Sequence, residues 1–223
     1  MKKLLFWMVL IVGIVALIGS CAKKDDETAA TAAASTDNAT STTSSITTTT
    51  PSGSITMGSY TASGVYKSAC GTSAVSYFIS AGAFPSDVQS YAFAFVVTGN
   101  DNVSMETHTF TDTGCTTSSY ITKGLRDNVT VGTASGANYP VTYNDQGFKL
   151  TVNTTTAETW LETLYANLGR TLDFTVGREM GVYPASFTLT YGLWTPSATT
   201  IYLATESDNS TPSTAGAIVY TKE

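Results

Sequence analysis

The chain has 223 residues, enough for one domain of ordinary size with extensions. Hydrophobic residues make up 42% of it and charged residues only 13%, and the formal net charge is −6. Because Lys and Arg are few and form no basic cluster, a phosphate backbone would be repelled, which excludes nucleic-acid binding. The low charge and the 12 Tyr residues favour strands over helices.

Residues 1–20 have the three-part layout of a secretory signal peptide. A positively charged start, MKK, precedes the apolar run LLFWMVLIVGIVALI, and the small residues Gly19 and Ser20 stand directly before Cys21. The apolar run is shorter than the ~20 residues that a membrane span needs. We therefore predict a cleaved signal, with an uncleaved signal-anchor helix as the alternative.

The stretch LIGSC at residues 17–21 resembles the lipobox of bacterial lipoproteins. In that family an aliphatic residue and two small residues are recognised by a diacylglyceryl transferase and a dedicated signal peptidase. The resemblance implies these recognition roles for Ile18, Gly19 and Ser20. It also implies that Cys21 carries diacylglycerol on its sulfur and a further acyl chain on its amine. Because two or three acyl chains hold a protein firmly on a bilayer, the mature protein would have the membrane as its partner without needing a transmembrane helix.

The residue after Cys21 is Ala22 rather than Asp. In the enterobacterial sorting pattern, Asp at this position favours retention in the inner membrane. The resemblance therefore implies a lipid-anchored protein of the bacterial cell envelope, at the outer membrane. The sequence does not distinguish the periplasmic from the surface face.

From Cys21 to residue 56 the chain is rich in Ala, Ser and Thr and lacks apolar periodicity. Such a segment cannot offset the entropy lost on ordering, so we expect residues 21–56 to be a disordered tether. Its reach as a flexible coil is on the order of 30 Å. The composition changes at Met57, and residues 57–223 are predicted to form one folded domain.

The folded domain is predicted to consist of short antiparallel strands. Its segments alternate in hydrophobicity and are separated by turn formers, as in TGNDN between two of them. This pattern predicts an all-β antiparallel barrel or sandwich of about eight strands. The predicted strand segments are 59–70, 90–97, 103–110, 118–125 with a bulged continuation to 131, 148–152, 171–176, 186–193, 200–206 and 216–222.

One helix interrupts the strands, in NTTTAETWLETLYANLGR. Thr155 and Glu158 match a capping box, and Gly169 fits the C-terminal cap. An apolar stripe predicts that the helix packs across one mouth or side of the sheet, and a lid over a ligand cavity is the alternative. The stripe consists of Trp160, Leu161, Leu164, Tyr165 and Leu168.

Cys70 and Cys115 remain once Cys21 is assigned to the lipobox. Two thiols exported to an oxidising compartment usually pair, so we predict a disulfide between them, with two separate thiols as the alternative. Zinc needs more N or S ligands than two thiols and one histidine supply, and no CxxC spacing exists. No metal site is predicted.

His108 is the single histidine and shares a strand face with Glu106 and Phe110. We interpret His108 and Glu106 as polar side chains on the exposed face of a hairpin. The alternatives are an acid/base pair or a two-ligand metal site. Because no serine elbow, dinucleotide-binding loop or phosphate loop is present, we predict no catalytic residue and no cofactor.

The segment SYAFAFVV is apolar on both faces. This pattern is typical of a central core strand, and a hydrophobic pocket inside a barrel is the alternative. Large side chains on one face are Tyr91, Phe93, Phe95 and Val97, and small ones on the other are Ala92, Ala94 and Val96.

A second resemblance lies in SGVYKS, where Gly64 and Tyr66 match the positions at which lipocalins carry Gly and Trp. The layout SAC…FTDTGCTTSSY is also similar to lipocalin-like domains of bacterial lipoproteins. Here Tyr replaces Trp, and the helix lies between strands rather than after the barrel. The resemblance implies a barrel over residues 57–223 that binds an apolar small molecule.

Three functions follow as hypotheses. The first is a non-enzymatic, lipid-anchored binding module with a small apolar pocket. The second is a structural or adhesive surface lipoprotein that binds a macromolecular partner. The third is an enzyme that uses His108 and Glu106. No pattern in the sequence indicates an oligomeric state.

Overall fold

The structure, a computed structural model, describes residues 46–184 and 186–223. Strands dominate, and two helices accompany them within these ranges. The strands are β1 (Ile55–Met57), β2 (Tyr60–Ala62), β3 (Val65–Lys67), β4 (Ser90–Val97), β5 (Val103–Phe110), β6 (Ser118–Val131), β7 (Tyr139–Val152), β8 (Glu179–Val182), β9 (Thr188–Pro196), β10 (Thr200–Leu203) and β11 (Val219–Lys222). The helices are α1 (Val75–Ser80) and α2 (Thr155–Asn167).

Eight of the strands form a closed antiparallel barrel. Their order is β3, β4, β5, β6, β7, β9, β10 and β11, and β11 pairs back on β3. The long strand β7 has two partners on its second edge: β9 pairs with residues 139–145 and the extra strand β8 with residues 148–151. The predicted all-β antiparallel barrel is confirmed, and the sandwich alternative is set aside.

The barrel core follows from the alternation along each strand. Tyr91, Phe93, Phe95 and Val97 of β4 point into the interior and join one large cluster with Trp194. The small side chains of β4 point outward and belong to separate clusters on the outer wall. The predicted core strand is confirmed, and Tyr91 and Phe93 of the same face also line the spaces described below.

Residues 46–54, here called the N-terminal strap, lie against the outer wall, whereas we expected disorder up to residue 56. The Thr49 amide donates to Glu106 Oε1 at 2.9 Å, and the Ser52 amide donates to the Val97 carbonyl at 2.9 Å. The strap is ordered because the barrel wall supplies hydrogen-bond acceptors for its backbone amides and an apolar surface on which it packs. The folded part of the chain therefore begins before Met57.

Both ends of the barrel are covered. At one end the β1–β2 hairpin inserts the buried side chain of Met57, and Gly58, at φ +60°, lies against the Tyr139 hydroxyl. At the other end Trp160 of α2 packs on Tyr120 with ring centroids 5.2 Å apart. The predicted position of the helix at a barrel mouth agrees with this arrangement.

The helix α2 begins one residue earlier than predicted. Its N-cap is Thr154, whose Oγ1 accepts from the Ala157 amide at 3.1 Å, so the predicted cap at Thr155 is wrong. Gly169 follows the helix at φ +76°, as predicted for its C-terminal end. The short helix α1 was not predicted, because six residues carry too little periodicity to be recognised.

Several predicted strand segments differ from the structure. The segment 148–152 is only the end of the longer strand β7, and β8 was not predicted. The segment 59–70 is divided into β2 and β3, because Gly64 at φ +84° breaks the extended conformation. The segment 171–176 forms no strand. Phe174 instead contacts α2, where its amide donates to Glu162 Oε1 at 3.2 Å and its ring packs on Tyr165. Alternation alone did not reveal that this segment pairs with a helix rather than with a sheet edge.

None of the helices in the described ranges has both the length and the apolar character required to cross a bilayer.

Candidate functional site

The candidate site begins at a cleft in the barrel wall between β3 and β11. These strands pair over two positions, Tyr66 with Lys222 and Lys67 with Thr221. Beyond the paired positions, the residues after β3 and those before β11 line a cleft of about 840 Å³. Phe93, Leu203 and Tyr220 form part of its lining, so the cleft meets apolar interior side chains.

Small side chains form the rim of the cleft. One side carries Ser, Ala, Cys and Gly from residues 68–73, and the other carries Ser, Thr, Ala and Gly from residues 212–218. Gly71 forms an isolated antiparallel β-bridge with Tyr91, and a Cβ at Gly71 would lie 3.1 Å from the Tyr91 ring. The segments SACGTS and PSTAGAI thus leave an opening because their side chains are too small to close it.

The predicted disulfide is confirmed and holds one side of this rim. Cys70 lies on the rim and is bonded to Cys115, which lies in the turn between β5 and β6. Asp112 organises that turn by accepting from the amides of Gly114, Thr116 and Thr117. These hydrogen bonds, led by the one from Thr117, lower the pKa of Asp112 to about 2.

A second cavity of about 170 Å³ lies inside the barrel. It shares Phe93, Leu203, Thr205 and Tyr220 with the cleft, so the two spaces adjoin at these four residues. Its lining is aromatic on one side and carries the polar side chains of Thr107, Thr122, Arg126 and Glu206 elsewhere. An apolar space with a few polar groups is typical of a small-molecule site.

Arg126 and Glu206 line the polar end of the inner cavity, and together with Tyr143 and Asp145 they form the inner polar cluster. Arg126 Nη2 donates to Glu206 Oε2 at 3.1 Å, and Nη1 donates to Asp145 Oδ1 at 2.9 Å. The Tyr143 hydroxyl donates to Glu206 Oε1 at 2.8 Å. The Arg126 guanidinium also lies 5.8 Å from the centroid of the Tyr143 ring. The cluster therefore holds a buried guanidinium between two carboxylates.

Burial shifts the titration of this cluster. It raises the pKa of Asp145 above its ordinary value, although Arg126 opposes the shift. Burial and the Glu206 carboxylate raise the pKa of Tyr143 well above its ordinary value, so the hydroxyl stays a donor. The two carboxylates outweigh the effect of burial on Arg126 and raise its pKa, so the guanidinium stays charged.

A second group, the outer polar cluster, lies on the opposite side of the wall and consists of Ser104, Glu106 and His108. His108 Nε2 donates to Glu106 Oε2 at 2.9 Å, and Ser104 Oγ donates to Glu106 Oε1 at 3.1 Å. Burial raises the pKa of Glu106, but the hydrogen bonds from His108 and Thr49 outweigh burial, so the pKa lies below its ordinary value.

The interpretation of His108 and Glu106 as exposed side chains is wrong. Each residue is only 2% exposed. In the β4–β5 register they lie opposite the outward-facing Ala92 and Ala94, and the small alanines leave room for the larger polar groups. The N-terminal strap contributes the Thr49 amide to this cluster, and both Glu106 oxygens accept from protein groups.

The residues predicted for lipid attachment, namely Ile18, Gly19, Ser20 and Cys21, lie outside the described residues. Within residues 46–184 and 186–223, no three His, Cys, Asp or Glu side chains come together as a metal site would require.

Sequence reasoning missed the inner polar cluster, although the chain carried a signal for part of it. Alternation from the apolar Tyr120 through Thr122 and Gly124 places Arg126 on the inward face of β6. A charged residue at an inward position requires a buried partner. Glu206 is 80 residues away in sequence, and no local pattern connects it to Arg126.

The fold and the site together define an eight-stranded barrel with a lateral cleft, an adjoining inner cavity and a buried polar cluster. No protein-family model matches this chain, and a search of curated proteins found no match.

Proposed function

We propose that this protein is a lipid-anchored protein of the bacterial cell envelope whose barrel is a non-enzymatic binding module for an apolar small molecule. The observation that supports binding is the junction of the cleft and the inner cavity at Phe93, Leu203, Thr205 and Tyr220. A ligand would enter between residues 68–73 and 212–218 and place apolar groups against the aromatic lining. Removing such groups from water supplies the main driving force.

The envelope location is supported by the lipobox-like LIGSC and by the Cys70–Cys115 disulfide. Disulfides persist in exported proteins and are rare in the cytosol. The segment between Cys21 and the strap would act as the tether, and a flexible coil of that length has a reach of about 25–30 Å. The barrel would therefore stay close to the bilayer while it binds its ligand.

Ligand binding is tested by titrating the purified disulfide-bonded domain with Nile red, a neutral apolar dye. We expect saturable fluorescence enhancement with one dye per barrel. Thr107→Phe should reduce dye affinity at least about fivefold, because Thr107 lines the inner cavity and the larger side chain occupies it. Thr130→Phe places the same side chain at an exposed position of β6 and serves as the control. Non-saturable dye binding by the unmodified domain would contradict the proposal.

Anchoring is tested by labelling cells with radioactive palmitate. Cys21→Ala should abolish the label and either release the protein from the membrane or leave the signal uncleaved. Cys70→Ser with Cys115→Ser is the matched control, since it removes two thiols and leaves the lipobox intact. Unchanged labelling of the Cys21→Ala protein would contradict the anchoring proposal.

The alternative function, a surface lipoprotein that binds a macromolecular partner, has one observation in its favour. Phe187, directly before β9, and Leu189, in β9, are 63% and 48% exposed. Large exposed apolar side chains mark interaction surfaces when they are contiguous. Replacing both with Ser should abolish recovery of the partner from envelope extracts under this alternative, and it should leave Nile red binding unchanged.

A further inference from the structure

We infer that the ligand of the barrel carries a hydrogen-bond donor without negative charge, with an ammonium group favoured, and that this end binds at Glu206 rather than at the mouth of the cleft. The inference rests on the proposed binding function and names the chemical class of the ligand. It is drawn from the charges and the hydrogen-bonding capacity of the groups that line the two cavities.

The charge around the inner cavity is unbalanced. The charged lining residues are Arg126, Glu206 and Glu106, and Asp145 is paired with Arg126. Glu106 lies on the outward face of β5, where His108 and Thr49 donate to it. The inner polar cluster therefore carries one positive and two negative groups. An anionic ligand would add a further negative charge in a space where water screens poorly.

The hydrogen bonds of Arg126 lead to the same result. Four of its five N–H groups already donate to protein oxygens, namely Nε to Glu206 Oε1, both on Nη1 to Asp145 and the Leu125 carbonyl, and one on Nη2 to Glu206 Oε2. An incoming carboxylate or phosphate finds only the second N–H of Nη2, and binding there would bring it close to the Glu206 carboxylate, which repels it. A ligand anion therefore gains little from this guanidinium.

Glu206 also has remaining hydrogen-bonding capacity, and its charge attracts a ligand donor instead of repelling it. An ionised carboxylate accepts about four hydrogen bonds. Oε1 of Glu206 accepts from Tyr143 and Arg126, whereas Oε2 accepts from Arg126 alone among the described residues. A ligand N–H or O–H can therefore add to Oε2 without displacing a protein group.

The cleft gives a polar end group no comparable partner. None of the residues that line the cleft is charged. An amphiphilic ligand therefore gains more by placing its polar end at Glu206 and its apolar body between Phe93, Leu203 and Tyr220 than by the reverse orientation.

The test is competition against Nile red at neutral pH with three ligands that share one alkyl chain: decylamine, decanol and decanoate. Each is used below the concentration at which it forms micelles. We expect decylamine to displace the dye at a concentration about tenfold lower than decanoate, with decanol between them, because opposite charges attract at short range in a poorly screened site. Equal displacement by all three ligands, or stronger displacement by decanoate, would overturn the inference.

Variants of the inner polar cluster test which residues cause the preference for decylamine. Glu206→Gln should reduce the preference for decylamine over decanoate to about threefold or less, since it removes the carboxylate that meets the ligand. Asp145→Asn should reduce the same preference and keeps the Arg126–Glu206 pair, so it tests the charge if Glu206→Gln fails to fold. Asp173→Asn removes one negative charge at an exposed position and should leave the preference unchanged. A preference that survives both cluster variants would overturn the inference.

Different results would refute the proposed binding function and the assignment of a donor end group to the ligand. If Nile red shows no saturable binding, the proposed binding function fails, and this inference fails with it. If Nile red binds and decanoate competes as well as decylamine, the binding function stands and the assignment of a donor end group fails.

Discussion

The two polar clusters lie on opposite sides of the same barrel wall and differ in what they face. The outer polar cluster is covered by the N-terminal strap, and both oxygens of Glu106 accept from protein donors. The inner polar cluster borders a cavity and holds two carboxylates against one guanidinium. The comparison shows that burial alone does not identify a binding site. A site also needs adjoining space that a ligand can reach.

The largest expected effect comes from removing the cation of the inner polar cluster. Arg126→Met leaves Asp145 and Glu206 buried without a counter-charge and should lower the free energy of unfolding by about 3–5 kcal/mol. Urea denaturation measures this change. Lys149→Met, which breaks a half-exposed pair with Glu179, should cost less than about 1 kcal/mol. Equal effects of the two variants would mean that water screens the inner polar cluster.

The disulfide contacts both the cleft rim and the N-terminal strap, so removing it should affect both. Cys70 lies on the cleft rim, and Cys115 packs with Ile46 of the strap. Cys70→Ala with Cys115→Ala should lower the free energy of unfolding by about 2–4 kcal/mol, because a covalent loop restricts the unfolded chain. Nile red affinity and hydrogen-exchange protection of the Thr49 amide should both decrease. If only the dye affinity or only the protection of the Thr49 amide decreases, the disulfide stabilises only the cleft rim or only the strap.

A smaller effect is expected from Glu106→Gln in the outer polar cluster. The variant weakens the charge-assisted hydrogen bonds from Thr49, Ser104 and His108 and should lower the free energy of unfolding by about 1.5–3 kcal/mol. Hydrogen exchange at the Thr49 amide should become faster, because its acceptor loses its charge. Asp173→Asn is the exposed control. Unchanged exchange at the Thr49 amide in the Glu106 variant would contradict this role of the carboxylate.

The smallest effect is a difference in pH dependence between the clusters. The pKa of Asp145 is raised in the folded protein, so its protonation stabilises the fold as the pH falls toward the ordinary value of 3.8. The pKa of Glu106 is lowered, so its contribution is present above the ordinary value of 4.5 and is lost as the pH falls below it. Chemical denaturation from pH 7 to about pH 4, where Asp112 stays ionised, separates the two. Asp145→Asn should remove the gain on acidification, and Glu106→Gln should reduce the loss that begins below pH 4.5. The same pH dependence in both variants would contradict these assignments.

The part of the fold that the sequence predicts best is the set of strands β4, β5 and β6. The bounds 90–97 and 103–110 and the bulged continuation to residue 131 agree with the structure, because alternation and turn formers are local signals. The closure of the barrel through β11 and β3 involves residues about 150 positions apart and follows only from the fold class.

The N-terminal strap and the buried His108 were not predictable for one shared reason. A Thr-rich segment has no apolar pattern of its own, and it becomes ordered here because Glu106 on the barrel wall accepts from its backbone. Glu106, which His108 contacts, is covered by that segment in turn. Neither the strap nor the Glu106 side of this contact can be predicted from the sequence unless the position of the other is known.

The strap also fixes where the chain leaves the barrel. Lys67 Nζ donates to the Ile46 carbonyl, and Ile46 shares a cluster with Cys70 on the rim of the cleft. If Cys21 is acylated, the tether to the membrane joins the barrel close to the opening of the cleft. The opening would then face the bilayer more often than random tumbling allows, and a molecule leaving the lipid would have only a short distance to travel.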